Sequence, residues 1–201
     1  MLGGSRAFAS GPVLWAVLGL AAVATGCAQG EPEPIPTRPA VPEGWVMLES
    51  DEGDVLLALP PELAAVSTAG GVMAQEPLTP EGIIQLELLA SGPSALLDQP
   101  APGESLVEWL RAQFLVPRAD ATTVIGSTST SEVALPMGRG VEVSTTVFPG
   151  TPEESLMITY AIPTTMGVAV LRFVGQPERL RQRADDLRLV TLLAEFRRPT
   201  P

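Results

Sequence analysis

The sequence predicts an α+β domain built on an antiparallel sheet, and three observations carry that expectation. Between Val141 and Val174 lie three runs in which apolar residues alternate with polar ones, joined by short segments rich in Pro and Gly. A period of two puts one side of each run into a core, and connections of that length join consecutive antiparallel strands. Ser105 with Glu108 forms a capping box ahead of Leu106, Leu110 and Phe114, so a helix separates these strands from earlier ones. A second helical stripe, Leu180, Ala184, Leu187, Val190 and Ala194, follows the last run.

Ahead of the domain, Arg6 is followed by an uncharged stretch from Ala7 to Gly30 containing Leu14, Val17, Leu18 and Leu20, and then by Ala24-Thr25-Gly26-Cys27. A short basic start, an apolar run and small residues at its end have the pattern of a secretion signal. Here the small residues lead into the only cysteine of the chain. The segment resembles the lipobox of bacterial lipoproteins, although Ala24 stands where Leu is preferred. The resemblance implies cleavage before Cys27 and a diacylglycerol on its thiol, with residues 1–26 as the signal peptide. Other uses of the same residues stay open: Ala22-Val23-Ala24 is an A-x-A site for release of a soluble protein, the uncut stretch exceeds the roughly 20 residues that span a bilayer, and a lone cysteine is often simply buried. Two or three acyl chains hold a protein firmly, at about 0.8 kcal/mol per buried methylene. The expected location is the cell membrane, lipid-anchored on its extracytoplasmic side.

Residues 27–42 carry the lipidated cysteine and then a tether, with Pro32, Pro34, Pro36, Pro39 and Pro42 spaced along it. Such a composition favours an extended polyproline II path near 3.1 Å per residue, so about 15 residues reach roughly 45 Å from the lipid. Residues 43–198 form the folded domain. Trp45, Val46 and Leu48 begin a strand that turns at Asp51-Glu52-Gly53-Asp54 and returns through Val55, Leu57 and Leu59 to Pro60-Pro61, a hairpin pattern. Ile84, Leu86 and Leu88 alternate with Gln85 and Glu87 as a third strand. In the helix from Ser105 to Pro117, Trp109 belongs to the core. A Thr/Ser-rich passage from Thr122 to Ser131 follows it.

In the three late strands, Val141, Val143 and Val147 share one face, as do Leu156, Ile158, Tyr160 and Ile162, and again Val168, Val170 and Val174. The terminal helical region starts at Gln176-Pro177 and runs to Arg197-Arg198-Pro199. This order, with Pro42-Glu43-Gly44-Trp45 opening the first hairpin and Leu59-Pro60 closing it, resembles the Mog1/PsbP-like family over residues 42–198. The resemblance implies a central antiparallel sheet sandwiched by helices. It also implies an accessory or binding protein rather than an enzyme, as most members are, and the members include secreted bacterial lipoproteins without an assigned activity.

Composition narrows the chemistry. The net charge is −11, and removal of residues 1–26 takes Arg6 away and leaves the remainder one unit more negative. An acidic surface repels nucleic acid and anionic headgroups alike, so no nucleic-acid partner is expected and membrane attachment must work through the lipid. All basic residues are arginine, and the chain lacks lysine, histidine and asparagine, a bias expected of a GC-rich bacterial genome. A catalytic His, a Schiff-base Lys or a His-ligated metal cannot be built from these residues. With Cys27 acylated there is no disulfide, and stability must come from the core.

Two motifs fail on inspection. Asp51 to Glu62 has the outer spacing of a calcium loop, but Gly53 and Val55 occupy ligand positions and Leu56 stands where the turn glycine belongs. Gly138-Arg139-Gly140 lacks the third glycine of a dinucleotide loop, with Val143 in its place, and precedes a strand. Asp51, Glu52 and Asp54 read as a solvated hairpin tip. Arg172 interrupts the face of Val168, Val170 and Val174, either pairing with a carboxylate or gripping an anionic ligand. No catalytic residue, metal or cofactor is expected, and the ligand-binding residues stay unknown. Three functions remain: a lipid-anchored accessory domain binding an envelope protein, a carrier of lipid or another hydrophobic small molecule with an apolar cavity between sheet and helix, and a hydrolase such as a glycosidase using two carboxylates.

Overall fold

The computed structural model describes residues 34–77, 86–93, 95, 100–115, 124–165 and 167–197. The signal segment with Cys27, the first strand residues Ile84 and Gln85, Pro117, Thr122 and the final Arg198-Pro199 lie outside the described residues. In chain order the strands are β1 (Val46–Glu49), β2 (Val55–Leu59), β3 (Ala64–Thr68), β4 (Gly71–Gln75) and β5 (Leu86–Ser91). The later ones are β6 (Ile125–Leu135), β7 (Gly138–Val147), β8 (Ser155–Thr164), β9 (Gly167–Gly175) and β10 (Glu195–Phe196). The helices are α1 (Leu106–Leu110), which continues as a π-helical turn over Arg111–Leu115, α2 (Pro177–Gln182) and α3 (Ala184–Leu193).

The early hairpin forms as expected, with Val46 opposite Leu59 and Glu49 opposite Leu56. Gly53 turns it with φ 73°, a conformation that glycine adopts without a Cβ clash. The expected meander of β7, β8 and β9 is also present, fully antiparallel. Its register sets Val143 opposite Thr159 and Ala161 opposite Val170, while Tyr160 lies opposite Leu171 and Ile158 opposite Phe173. The alternating residues thus divide between two sheet faces, as their period requires. The whole sheet has the order β3-β4-β5-β9-β8-β7-β6, and β1-β2-β10 form a second sheet. The class is α+β.

The two faces have different covers. On one, Trp109 and Leu110 of α1 pack against Val143, Ala161, Val168 and Val170. Ser105 caps this helix by accepting the Glu108 amide at 3.1 Å, and Trp109 is 2% exposed, a core residue as expected. On the other face the second sheet and the C-terminal helices bury Val55, Leu57 and Leu59 together with Leu88, Leu171, Phe173, Leu187 and Val190. Each such aliphatic side chain contributes about 1.5–3 kcal/mol on removal from water. No helix among the described residues is long and apolar enough to cross a membrane.

Several expectations change. The Ser/Thr-rich passage, given no element in the sequence, is β6 from Ile125 onward, paired with β7 along nearly its whole length. Ala64 to Gln75, which carried no assignment, is the hairpin β3–β4. The terminal helical region breaks at Arg183, whose φ of −99° and ψ of 7° leave the helical region. It then ends early, because Glu195 and Phe196 turn extended and pair with Leu56 and Val55. At the other end Arg38 pairs with Glu195 at 2.7 Å, so the Pro-rich stretch is fastened to the domain from that residue on.

Candidate functional site

The site follows from where α2 and α3 rest on the sheet. Glu76, 4% exposed just after β4, accepts from Arg179 Nη2 at 2.9 Å and from Arg183 Nε at 3.0 Å. Arg183 also binds Glu62 and, at 3.1 Å, Asp186. One guanidinium at the helix break therefore gathers carboxylates from the β2–β3 connection, the end of β4 and the first turn of α3. The Glu62 carboxyl is held below its ordinary value by that bond to Arg183, and the Arg183 guanidinium is correspondingly raised. Leu180 and Leu187 of the same two helices are buried, and a gap lies between these helices and strands β6 to β9.

That gap is a cleft of about 480 Å³. Leu135, Leu156, Ile158, Tyr160 and Phe173 line it from the sheet, and Leu180, Leu187 and Thr191 from the helices, with Glu142, Arg181 and Arg188 contributing charge. The Tyr160 ring meets Phe173 edge-on, with centroids 6.2 Å apart and planes at 79°. Burial pushes the Tyr160 hydroxyl well above its ordinary range, and Glu142, which accepts its hydrogen bond, pushes it the same way. The phenol therefore stays neutral and presents a fixed dipole beside an apolar surface. Glu132 also borders the cleft, but it lies opposite Val141 while Glu142 lies opposite Ser131. By register the two side chains alternate to opposite faces of the sheet.

A second cleft of about 510 Å³ is bordered by Glu87, Glu153, Glu154, Ser155 and Gln176. The Glu154 carboxylate is already engaged, accepting the Gly150 amide at 2.6 Å. Among the described residues no group of three His, Cys, Asp or Glu side chains is arranged to hold a metal ion.

The residues singled out in the sequence scatter. Cys27 lies outside the described residues. Arg172 is on β9 between Leu89 and Thr159 and borders neither cleft; burial lowers its pKa, and the charge of Glu87 opposes that shift. The reading of Asp54 as part of a solvated tip is corrected, because it has no exposed area. Ser50 Oγ donates to its Oδ1 at 2.8 Å, and only Asp51 and Glu52 are exposed. Gly140 is a strand contact rather than a loop residue, since a Cβ there would lie 2.1 Å from the Ala161 carbonyl. Sequence reasoning missed Tyr160 and Glu142 as site residues. The available signal was that Tyr160 is the single tyrosine, on an otherwise aliphatic strand face.

No family model matches the chain, and no curated protein matches it. Among solved structures it is similar to the solution structure of cyanobacterial PsbP (CyanoP) from Synechocystis sp. PCC 6803, with 7% identity and a TM-score of 0.49, over 76% of this chain and 92% of that one.

Proposed function

We propose that this chain is a lipid-anchored extracytoplasmic accessory protein of Mog1/PsbP-like type, which binds an envelope protein without catalysing a reaction, through the cleft between β6–β9 and α2–α3. The observation that carries this reading is the cleft's composition. An open apolar floor of Leu156, Ile158, Tyr160 and Phe173, bordered by both signs of charge, suits the side chains of a partner more than a reacting bond. Anchoring rests on the residues before Cys27, and the tether sets the reach of the domain from the lipid.

A carrier of lipid or another hydrophobic small molecule is the second reading, and the cleft's volume favours it. About 480 Å³ falls inside the roughly 300–1,000 Å³ of small-molecule sites. Native mass spectrometry of the full chain, extracted gently from its membrane, separates the two. A complex with a polypeptide other than this chain that disappears in Ile158→Glu supports the first reading; co-purifying lipid lost in the same variant replaces it with the second. A foreign polypeptide or lipid still bound in Ile158→Glu would exclude the cleft from either role. The intact mass tests the anchor independently: a chain beginning at Cys27 with added diacylglycerol is expected, and one beginning at Thr25 overturns it.

A further inference from the structure

We propose that β6 is an interface for a second copy of this chain, each β6 pairing antiparallel with its counterpart across a two-fold axis at Ser129. β6 is the end strand of the seven-stranded sheet and, at 11 residues, its longest. Ser127 to Ser131 are all exposed, and no described segment pairs with the strand's outer side. Alternate residues therefore offer backbone N–H and C=O groups outward, a template for another strand. β6 has no Pro and no basic residue to block such pairing, and its irregularity, between Ile125 and Thr128, leaves the strand regular from Thr128 to Leu135. The opposite edge is better guarded, because β3 has 5 residues and the Asp51 amide occupies the Thr68 carbonyl at 3.0 Å.

The sequence of the strand names the occupant. Ser127-Thr128-Ser129-Thr130-Ser131 reads the same in both directions. An axis at Ser129 sets Thr128 of one copy opposite Thr130 of the other and Ser127 opposite Ser131, pairs of the hydroxyl type that stabilise antiparallel strands. Glu132, the one charge in β6, then falls opposite Gly126, and the two Glu132 side chains stand about 20 Å apart at 3.3 Å per residue, beyond the Debye length. An axis moved to Glu132 would oppose the carboxylates directly. In a chain of net charge −11, this self-complementary edge, uncharged from Ser127 to Ser131, is where two copies can approach. A two-fold axis normal to the sheet keeps like faces together, so both clefts lie on the same side of the joined sheet.

Sedimentation of the full chain in mild detergent tests this, and the expected protein mass is that of two copies. Ser129→Glu and Ser129→Arg each halve it by placing like charges on the axis, and mixing the two variants restores it. Gentle oxidation links Ser129→Cys into a covalent dimer but not Val66→Cys, which is exposed on β3. A wild-type chain with the mass of one copy overturns the proposal. So does a dimer whose mass survives Ser129→Glu, since that dimer uses another surface.

Discussion

At Asp54 two neighbours decide what a turn carboxylate becomes. Ser50 donates to it, while Gly92 leaves it room: a Cβ on Gly92 would lie 2.2 Å from Asp54 Oδ2. Gly92→Ala must displace a buried carboxylate from its hydrogen bond, and the expected loss is about 1–3 kcal/mol in urea unfolding. Gly103→Ala is the control, since nothing lies within 4 Å and only its φ of 87° opposes a side chain, at about 1–2 kcal/mol. Tyr160 supports a second prediction, because a single tyrosine lets ultraviolet absorbance follow one hydroxyl. It is expected to ionise well above its ordinary 10.0, and Glu142→Gln should bring it down part of the way, burial being the larger cause. The folded state then holds a proton that the unfolded state has released. Stability contributed by this group is present below pH 10.0 and falls as pH rises past it.

Among the elements, legibility followed how strongly packing marks the sequence. β8 and β9 announced themselves because Leu156, Ile158, Tyr160 and Val168, Val170 alternate cleanly against a core. β6 gave no such signal: Ser and Thr occupy both of its faces, so only pairing with β7 reveals it. The helix break at Arg183 was equally hidden, since Glu62 and Glu76 reach it from more than a hundred residues away. The cleft was unreadable for the same reason, as register alone brings Glu142 to Tyr160. Removing the central carboxylate tests that ionic cluster. Glu76→Gln leaves Arg179 and Arg183 short of a buried acceptor and is expected to cost about 3 kcal/mol in urea unfolding. Acid should act in the same direction. The Glu62 and Glu195 carboxyls are held below the ordinary 4.5 by Arg183 and Arg197, so their contribution is complete above pH 4.5 and is lost as pH falls through their lowered values.

Across the whole molecule the two faces of the large sheet are held unequally. One is covered by the second sheet, α2 and α3, and is further closed by Arg38 on Glu195 and by β10 on β2. The other depends at its centre on Trp109 and Leu110 of a helix 5 residues long, too short to persist without its packing. Trp109→Ala should therefore cost about 3–5 kcal/mol, but unevenly. Amide exchange is expected to accelerate first in α1 and then at Val143 and Ala161, which lose their cover, while Leu57, Leu88 and Val190 on the opposite side keep their relative protection. Such a gradient would mean that the cleft face is the molecule's stable platform and the α1 face its weaker side. Uniform acceleration would instead mean that the two layers unfold as one unit and that Trp109 supports the cleft through the sheet between them.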